Sequence, residues 1–268
     1  MLFAIFVNDV LKSLNNSGRG CYIKGMCMNS FMYADDLILA AITVNDIQYL
    51  VDLCVEQFGL IGLEINIKKS ASMRIGRRHG VAVSDLSGAG NLWIKWVQEI
   101  KYLGITICSA KSFKTIMQSL RHKFLRALNG IFGKVGLKTS ISVLISLIES
   151  CCVSILLYSC ESIMWNRTMF DAAENAYSMI FRKIFKTNDK TIIQQCQYYC
   201  NQLPAELKIV SRKVQFVENL TKSDNSILRM LGKLDEEVVL LKQRYGINSV
   251  GNVGKYCIWK YFESKIVF

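Results

Sequence analysis

Two adjacent carboxylates, Asp35 and Asp36, stand between apolar runs in Phe31-Met32-Tyr33-Ala34-Asp35-Asp36-Leu37-Ile38-Leu39-Ala40. Burying an unpaired carboxylate costs several kcal/mol or more, so an ordinary core strand excludes such a pair. The pair is tolerable where it projects from a tight hairpin into a site that holds a cation. Hard divalent ions such as Mg²⁺ take oxygen ligands, usually one or two carboxylates together with substrate phosphates. Ions held in this way clamp the attacking and leaving oxygens of a phosphoryl transfer. Asp-Asp pairs also occur in solvated loops and helix caps, and here the flanks carry the distinction. Tyr33, Leu37, Ile38 and Leu39 favour a strand on both sides, and Ala34 leaves room beside the acids. The residue types point to metal-dependent nucleotidyl transfer.

Composition narrows the partners. The 268 residues are 51% hydrophobic with a single Pro and 17 Gly, which describes a folded chain of one large or two modest domains. Between Lys68 and Lys138, nine Lys and five Arg stand against Asp85 and Glu99, so one window carries the whole formal charge of +12. A concentrated basic face is the electrostatic footprint of phosphate-backbone binding. The ten cysteines form no even framework, and no secretory signal precedes them. Reduced thiols in an intracellular compartment, nucleus or cytoplasm, are therefore expected. Cys196 and Cys200 are four apart, but no second Cys or His pair closes a zinc site, so buried thiols are the expectation. Ile141 to Trp165 is apolar enough to suggest a bilayer span, yet Glu149 and Glu161 interrupt it. A buried helix and no membrane partner are expected.

The surrounding elements must position the acids. Met1 to Leu14 reads as a helix with an abrupt apolar start, and Asn15 to Gly20 as a turn. Thr43 and Asp46 resemble a capping box ahead of Ile47, Leu50, Val51, Cys54, Val55 and Phe58, an amphipathic stripe that Gly59 and Gly62 end. Glu64-Ile65-Asn66-Ile67 alternates as a strand. Trp93 to Val97 and Tyr102 to Ile107 suggest a hairpin across Gln98 to Lys101. Beyond residue 110 helical patterns dominate, at Phe113–Val135, Ile141–Met164, Met169–Phe185, Thr191–Cys200 and Glu206–Leu220.

The order of motifs adds more than any one of them. After the Asp-Asp box come Gly62-Leu63-Glu64-Ile65-Asn66-Ile67-Lys68-Lys69-Ser70 and then Val97-Gln98-Glu99-Ile100-Lys101-Tyr102-Leu103-Gly104. The opening Leu2-Phe3-Ala4-Ile5-Phe6-Val7-Asn8-Asp9 precedes them. This succession resembles the reverse transcriptase of LINE-type (non-LTR) retrotransposons over residues 2 to about 107. Leu156-Leu157-Tyr158 and Phe181-Arg182-Lys183-Ile184 look like the thumb and post-thumb helices of such elements. A group II intron maturase, which has a similar Asp-Asp box, is a neighbouring reading.

The resemblance implies an α+β chain. A partial right-hand polymerase palm, a small antiparallel sheet with helices, would fill residues 1–108. A helical thumb would span 109–186 and a C-terminal helical region 187–268. It implies two-metal Mg²⁺ chemistry with Asp35 as principal ligand and Asp36 beside it. Tyr33 would pack near the primer end, or serve as an ordinary strand aromatic. Lys69 would lie near the incoming dNTP and protonate the leaving pyrophosphate, or remain a solvated lysine. Tyr102, Leu103 and Gly104 would shape a primer grip, with Gly104 admitting close backbone approach. Lys111, Lys114, Arg121, Lys123 and Arg126 would face the RNA template and DNA primer duplex, or form a solvated helix surface.

The resemblance also implies a further catalytic Asp on an upstream strand, a Gln-Gly…Ser-Pro segment and fingers, for which this sequence holds no counterpart. The expectation is the carboxy-terminal part of an RNA-directed DNA polymerase, its missing N-terminal part an implied partner and the isolated chain catalytically incomplete. Two other classes stand beside it: a noncatalytic basic nucleic-acid-binding module, and a membrane-associated helical protein resting on residues 141–165 alone.

Overall fold

The computed structural model describes residues 2–136, 139–247 and 252–266. Met1 and Lys138, at the ends of the helix and basic window read above, lie outside them, as do residues 248–251 and 267–268 of the C-terminal region. The chain is α+β and divides into two compact units, Met1–Lys114 and Thr115–Phe268.

The first unit begins with helices α1 (Leu2–Phe6) and α2 (Asn8–Asn16), broken at Val7 where a single helix was expected. Two hairpins follow, β1 (Cys21–Ile23) with β2 (Met26–Met28) and β3 (Ser30–Tyr33) with β4 (Asp36–Leu39), both antiparallel. Helix α3 (Val44–Leu60) starts at Thr43, whose side chain accepts from the Asp46 amide. The Thr43 hydroxyl and then Arg19 hold the Asp46 carboxyl below its usual range. The helix stops because Gly62 takes a positive φ of 72° and Leu63 N–H donates to Phe58 O at 2.9 Å, closing its last turn. Gly59 lies inside the helix.

Val10 and Leu14 of α2 are buried against Leu50, Cys54 and Phe58 of α3, and Met32, Leu37 and Leu39 of the β3–β4 hairpin pack on that layer. Burial pushes the Cys54 thiol up to about 12, so it behaves as a small hydrophobe. A second cluster joins Val51 to Ile67, Leu86 and Ile94. It seats the short pair β5 (Leu86–Ser87) and β6 (Trp93–Ile94) on α3, with a single 3₁₀ turn at Ala89–Asn91 between them. Gln48 locks that seat, its amide donating to Ser87 O at 3.0 Å and its carbonyl accepting from Ser87 N at 2.8 Å.

Two readings are corrected here. Glu64 to Ile67 forms no strand; Asn66 instead organises a turn, accepting from the Lys69 and Ser70 amides. The alternation reflects Ile65 and Ile67 seated in the core. The late hairpin pairs β7 (Glu99–Tyr102) with β8 (Ile105–Cys108), so its turn falls at Leu103-Gly104 and not at 98–101. Strand β9 (Lys114–Ile116) straddles the unit boundary.

The second unit is helical: α4 (Gln118–Val135), α5 (Ile141–Ile148), α6 (Ser154–Leu156), α7 (Arg167–Phe185), α8 (Lys190–Tyr199), α9 (Ala205–Thr221), α10 (Ser226–Lys233), α11 (Glu236–Tyr245) and α12 (Asn252–Glu263). Ser140, Asn166, Asp189, Asn225 and Asp235 cap five of these with their own side chains. The expected helix Ile141–Met164 is not continuous; a π-turn at Glu149–Val153 interrupts it and turns follow Leu156. Among the described residues no helix is long and apolar enough to cross a membrane. Glu149 explains the interruption, accepting from Tyr177 Oη at 2.7 Å and pairing with Lys208 Nζ at 2.7 Å.

A buried polar seam continues from there. The Glu174 carboxylate accepts from Gln197 Nε2 at 3.3 Å and from the Glu206 amide at 3.4 Å. It thereby caps α9, whose preceding residue Pro204 has no side-chain acceptor. Burial raises the Glu174 carboxyl, and those donors partly oppose it. Val210, Val214 and Val217 of α9 complete the core with Val238, Leu241 and Tyr245 of α11 and with Ile258 and Phe262.

The approach to the Asp-bearing hairpin rests on Asn29, which is fully buried. Its Nδ2 donates to Leu14 O at 2.6 Å and to Arg19 O at 2.9 Å, tying the end of α2 and the following loop to the residue before β3. Replacing Asn29 by Ala is expected to cost about 1–3 kcal/mol, because Leu14 O loses one of its donors and Arg19 O loses an N–H donor inside the fold. The check is amide hydrogen exchange in Ser30–Leu39, which must lose protection against wild type; unchanged protection would remove Asn29 from this role.

Candidate functional site: the carboxylate hairpin

Tyr33 pairs across the ladder with Asp36, which leaves Ala34 and Asp35 as the two-residue turn. Ala34 takes φ 52°, the left-handed region that such turns require at their first central position. An L-residue there costs about 1–2 kcal/mol, a strain that the paired strands maintain. Asp35 therefore projects at the tip and Asp36 opens β4, both exposed. Tyr33 is 63% exposed and Phe31 45%, so the hairpin turns Met32 and Leu37 inward and leaves an aromatic outer face.

The β7–β8 hairpin repeats the geometry. Tyr102 pairs with Ile105 around Leu103 (φ 43°) and Gly104 (φ 82°), both left-handed. Gly104 thus serves the second turn position, where glycine carries no Cβ penalty. The Tyr102 hydroxyl is raised, first by burial and then by the negative charge of Asp36. The charge of Asp36, 66 positions earlier in the sequence, is therefore felt at Tyr102 within the first unit.

Other candidates lie elsewhere. Lys69 is exposed on the Asn66–Ser70 turn, below which Ile67 is anchored in the core. Lys111 and Lys114 are exposed late in the first unit, and Arg121, Lys123 and Arg126 lie on the exposed side of α4 in the second. Among the described residues none of these five forms an ion pair, whereas Lys208, Arg212, Lys213 and Lys242 pair with Glu149, Glu161, Glu237 and Glu218. Net charge along the chain did not reveal that division. It depends on which helices pack against which.

The donor chemistry of Asp35 and Asp36, oxygen atoms on a solvated turn, suits a hard divalent ion. The number does not: among the described residues no three His, Cys, Asp or Glu gather into a ligand group. The pair alone does not make a two-metal centre. Cys196 and Cys200 likewise gain no further zinc ligands among the described residues, and burial raises both thiols.

The model of the reverse transcriptase (RNA-dependent DNA polymerase) family matches residues 1–107, which include the β3–β4 hairpin and all of β7–β8 but its last residue. Residues 1–107 are thus similar to reverse transcriptases. The chain is 36% identical over 74 residues to the retrovirus-related Pol polyprotein from type-1 retrotransposable element R2 of Bradysia coprophila. That alignment covers 28% of this chain and 8% of the relative, so the chain spans a small part of that relative's length. No solved structure matches. Together these findings support a segment of a non-LTR retrotransposon reverse transcriptase.

The turn geometry is open to test. Ala34→Val, β-branched at a positive φ, is expected to be less stable than Ala34→Gly by about 1–2 kcal/mol. Chemical denaturation of the two variants checks this, and equal stabilities would show that Ala34 is not strained.

Proposed function

We propose that this chain is part of an RNA-directed DNA polymerase and supplies the Asp-Asp hairpin of its active site. The observation that carries this reading is the exposed two-residue turn that presents Asp35 and Asp36 within the segment that matches the reverse transcriptase family. In the proposed site Asp35 and Asp36 contribute carboxylate ligands for Mg²⁺, the ion that would activate the primer hydroxyl and stabilise the triphosphate. Tyr33 offers an exposed ring at the primer end. Tyr102, Leu103 and Gly104 form the hairpin tip that positions the primer strand. Lys69 is proposed to approach the dNTP phosphates, its ammonium held in solvent by the Asn66 turn.

Lys111 and Lys114, with Arg121, Lys123 and Arg126 of α4, are proposed to contact the template–primer backbone. Unpaired surface cations are the groups that neutralise phosphates and release counterions. The residues 1–108, 109–186 and 187–268 are proposed as palm portion, thumb and C-terminal helical region. An intracellular setting, nucleus or cytoplasm, follows from that activity. With two carboxylates present, polymerisation is proposed to need at least one more from a longer chain or a partner.

A second reading is a noncatalytic nucleic-acid-binding module. The absence of a third ligand among the described residues, beside unpaired cations, favours it. The two readings separate experimentally.

In a longer chain that contains these residues and extends a DNA primer on an RNA template, Asp35→Ala is expected to abolish extension. Retained extension would sink the catalytic assignment, and a longer chain with no extension at all would leave the binding module. For the chain as given, duplex affinity should fall steeply with salt. Changing Arg121, Lys123 and Arg126 to Gln should reduce the log–log slope by about 2–3. An unchanged slope would remove α4 from the interface.

A further inference from the structure

An open cleft of about 400 Å³ lies in the first unit, away from the turn that carries Asp35. Arg74, His79, Asp85, Trp96, Gln98 and Ser109 line it, together with residues 80–83. Its walls are held by the chain's own bonds. Ser72 N donates to Lys95 O at 2.9 Å and Val97 N to Ser72 O at 2.8 Å, while Gly76 N reaches Ala110 O at 2.9 Å. Arg74 Nη1 donates to Val81 O at 3.0 Å, and Trp96 Nε1 donates to Ser84 O at 2.9 Å. The indole is thus oriented by a hydrogen bond and only partly covered.

The charge around the cleft is one-sided. Arg77 and Arg78 are exposed on the loop beside His79, and with Arg74 they form no ion pair among the described residues. Asp85 is the one carboxylate among the lining residues, and one of its oxygens already accepts from the Trp96 amide at 3.3 Å. Flat rings, a few polar groups and adjacent guanidiniums are what an unstacked nucleotide needs. The base stacks on an aromatic face, polar groups meet its edge, and Arg holds the phosphate. A volume of this size suits a compact ligand.

We infer that this cleft binds one unstacked nucleotide of a single-stranded nucleic acid, with Trp96 as stacking platform and Arg74, Arg77 and Arg78 on the adjoining phosphates. The cleft sits at the open end of the β7–β8 hairpin, where Ser109 N donates to Gln98 O at 2.8 Å. Tyr102 lies at the other end of β7, four residues and about 13 Å along the strand. A strand gripped in the cleft is led along β7 toward the carboxylate hairpin. That direction rests on the polymerase reading; the binding itself does not.

The test uses the full chain and fluorescence anisotropy. The probes are a labelled short oligoadenylate, an abasic oligomer of equal length and charge, and a blunt duplex. The oligoadenylate is expected to bind about tenfold or more tighter than the abasic oligomer, and Trp96→Leu to erase that difference while Trp96→Phe keeps most of it. The exposed double variant Arg77→Gln, Arg78→Gln should weaken all probes and flatten the salt slope by about 1–2. Circular dichroism verifies that each variant is folded.

Equal binding of base-bearing and abasic probes would overturn the inference, as would a folded Trp96→Leu with wild-type affinity. Should Trp96→Leu fail to fold, Trp96→Met takes its place with the same expectation. Displacement of the oligoadenylate by polyglutamate at equal charge concentration would also overturn it, marking an acidic protein surface as the occupant. None of these results depends on primer extension, so failure here leaves the Asp35 assignment to its own test.

Discussion

The geometry of the N-terminal unit depends on one buried amide. Asn29 gives both of its side-chain N–H donors to main-chain carbonyls, at Leu14, where α2 ends, and at Arg19 in the following loop. Its own carbonyl group on the main chain accepts from the Ala40 amide at 2.8 Å, closing the far end of the β3–β4 hairpin. One residue thus joins the end of α2, the loop before β1 and both strands of the hairpin that carries the acids. The close fit is visible at Gly20, where φ is 144° and an added Cβ would stand 2.4 Å from Asn29 Cβ. Any side chain at Gly20 would push the amide away from its carbonyls.

Once the hairpin is anchored, its turn decides what faces solvent. A two-residue connection demands left-handed backbone, and Ala34 accepts it without the bulk that would crowd the acids. The register then alternates Met32 and Leu37 onto the helical layer while Tyr33, Asp35 and Asp36 remain exposed. The same turn logic at Leu103-Gly104 delivers Tyr102 to the field of Asp36. Strained turns and a strict register place polar chemistry on a small sheet with little core of its own. Most of the apolar support comes from α2 and α3.

The helical unit treats charge differently. Three of its acidic residues face inward, where Glu149, Glu174 and Glu218 meet Lys208, the α9 N-terminus and Lys242. Lys208, Arg212 and Lys213 of α9 and Lys242 of α11 are consumed in holding helices together, while Arg121, Lys123 and Arg126 on α4 are left to solvent. Buried pairs of this kind are retained where removing one partner would strand the other charge. A uniform basic composition thus resolves into structural cations and available ones, and only the second kind can attract a polyanion.

Much was legible in the residue order alone. The Tyr33-Ala34-Asp35-Asp36 box announced a hairpin because two residues between apolar alternations leave few other connections. The α3 stripe and its Thr43–Asp46 cap followed from helical spacing, as did the helical character beyond residue 110. These signals are local, set by backbone propensity and side-chain periodicity within a turn or two. The strand expected at Glu64–Ile67 failed because alternation reports burial on one side and cannot report whether a ladder partner exists. The late hairpin was misplaced because a turn at Leu103-Gly104 needs positive φ, which the pairing of Tyr102 with Ile105 imposes. The charge of Asp36 felt at Tyr102, the cleft beside Trp96 and the division of cations into paired and exposed were decided by tertiary structure. Each depends on distances between residues far apart in the chain, and such distances exist only after the core has closed.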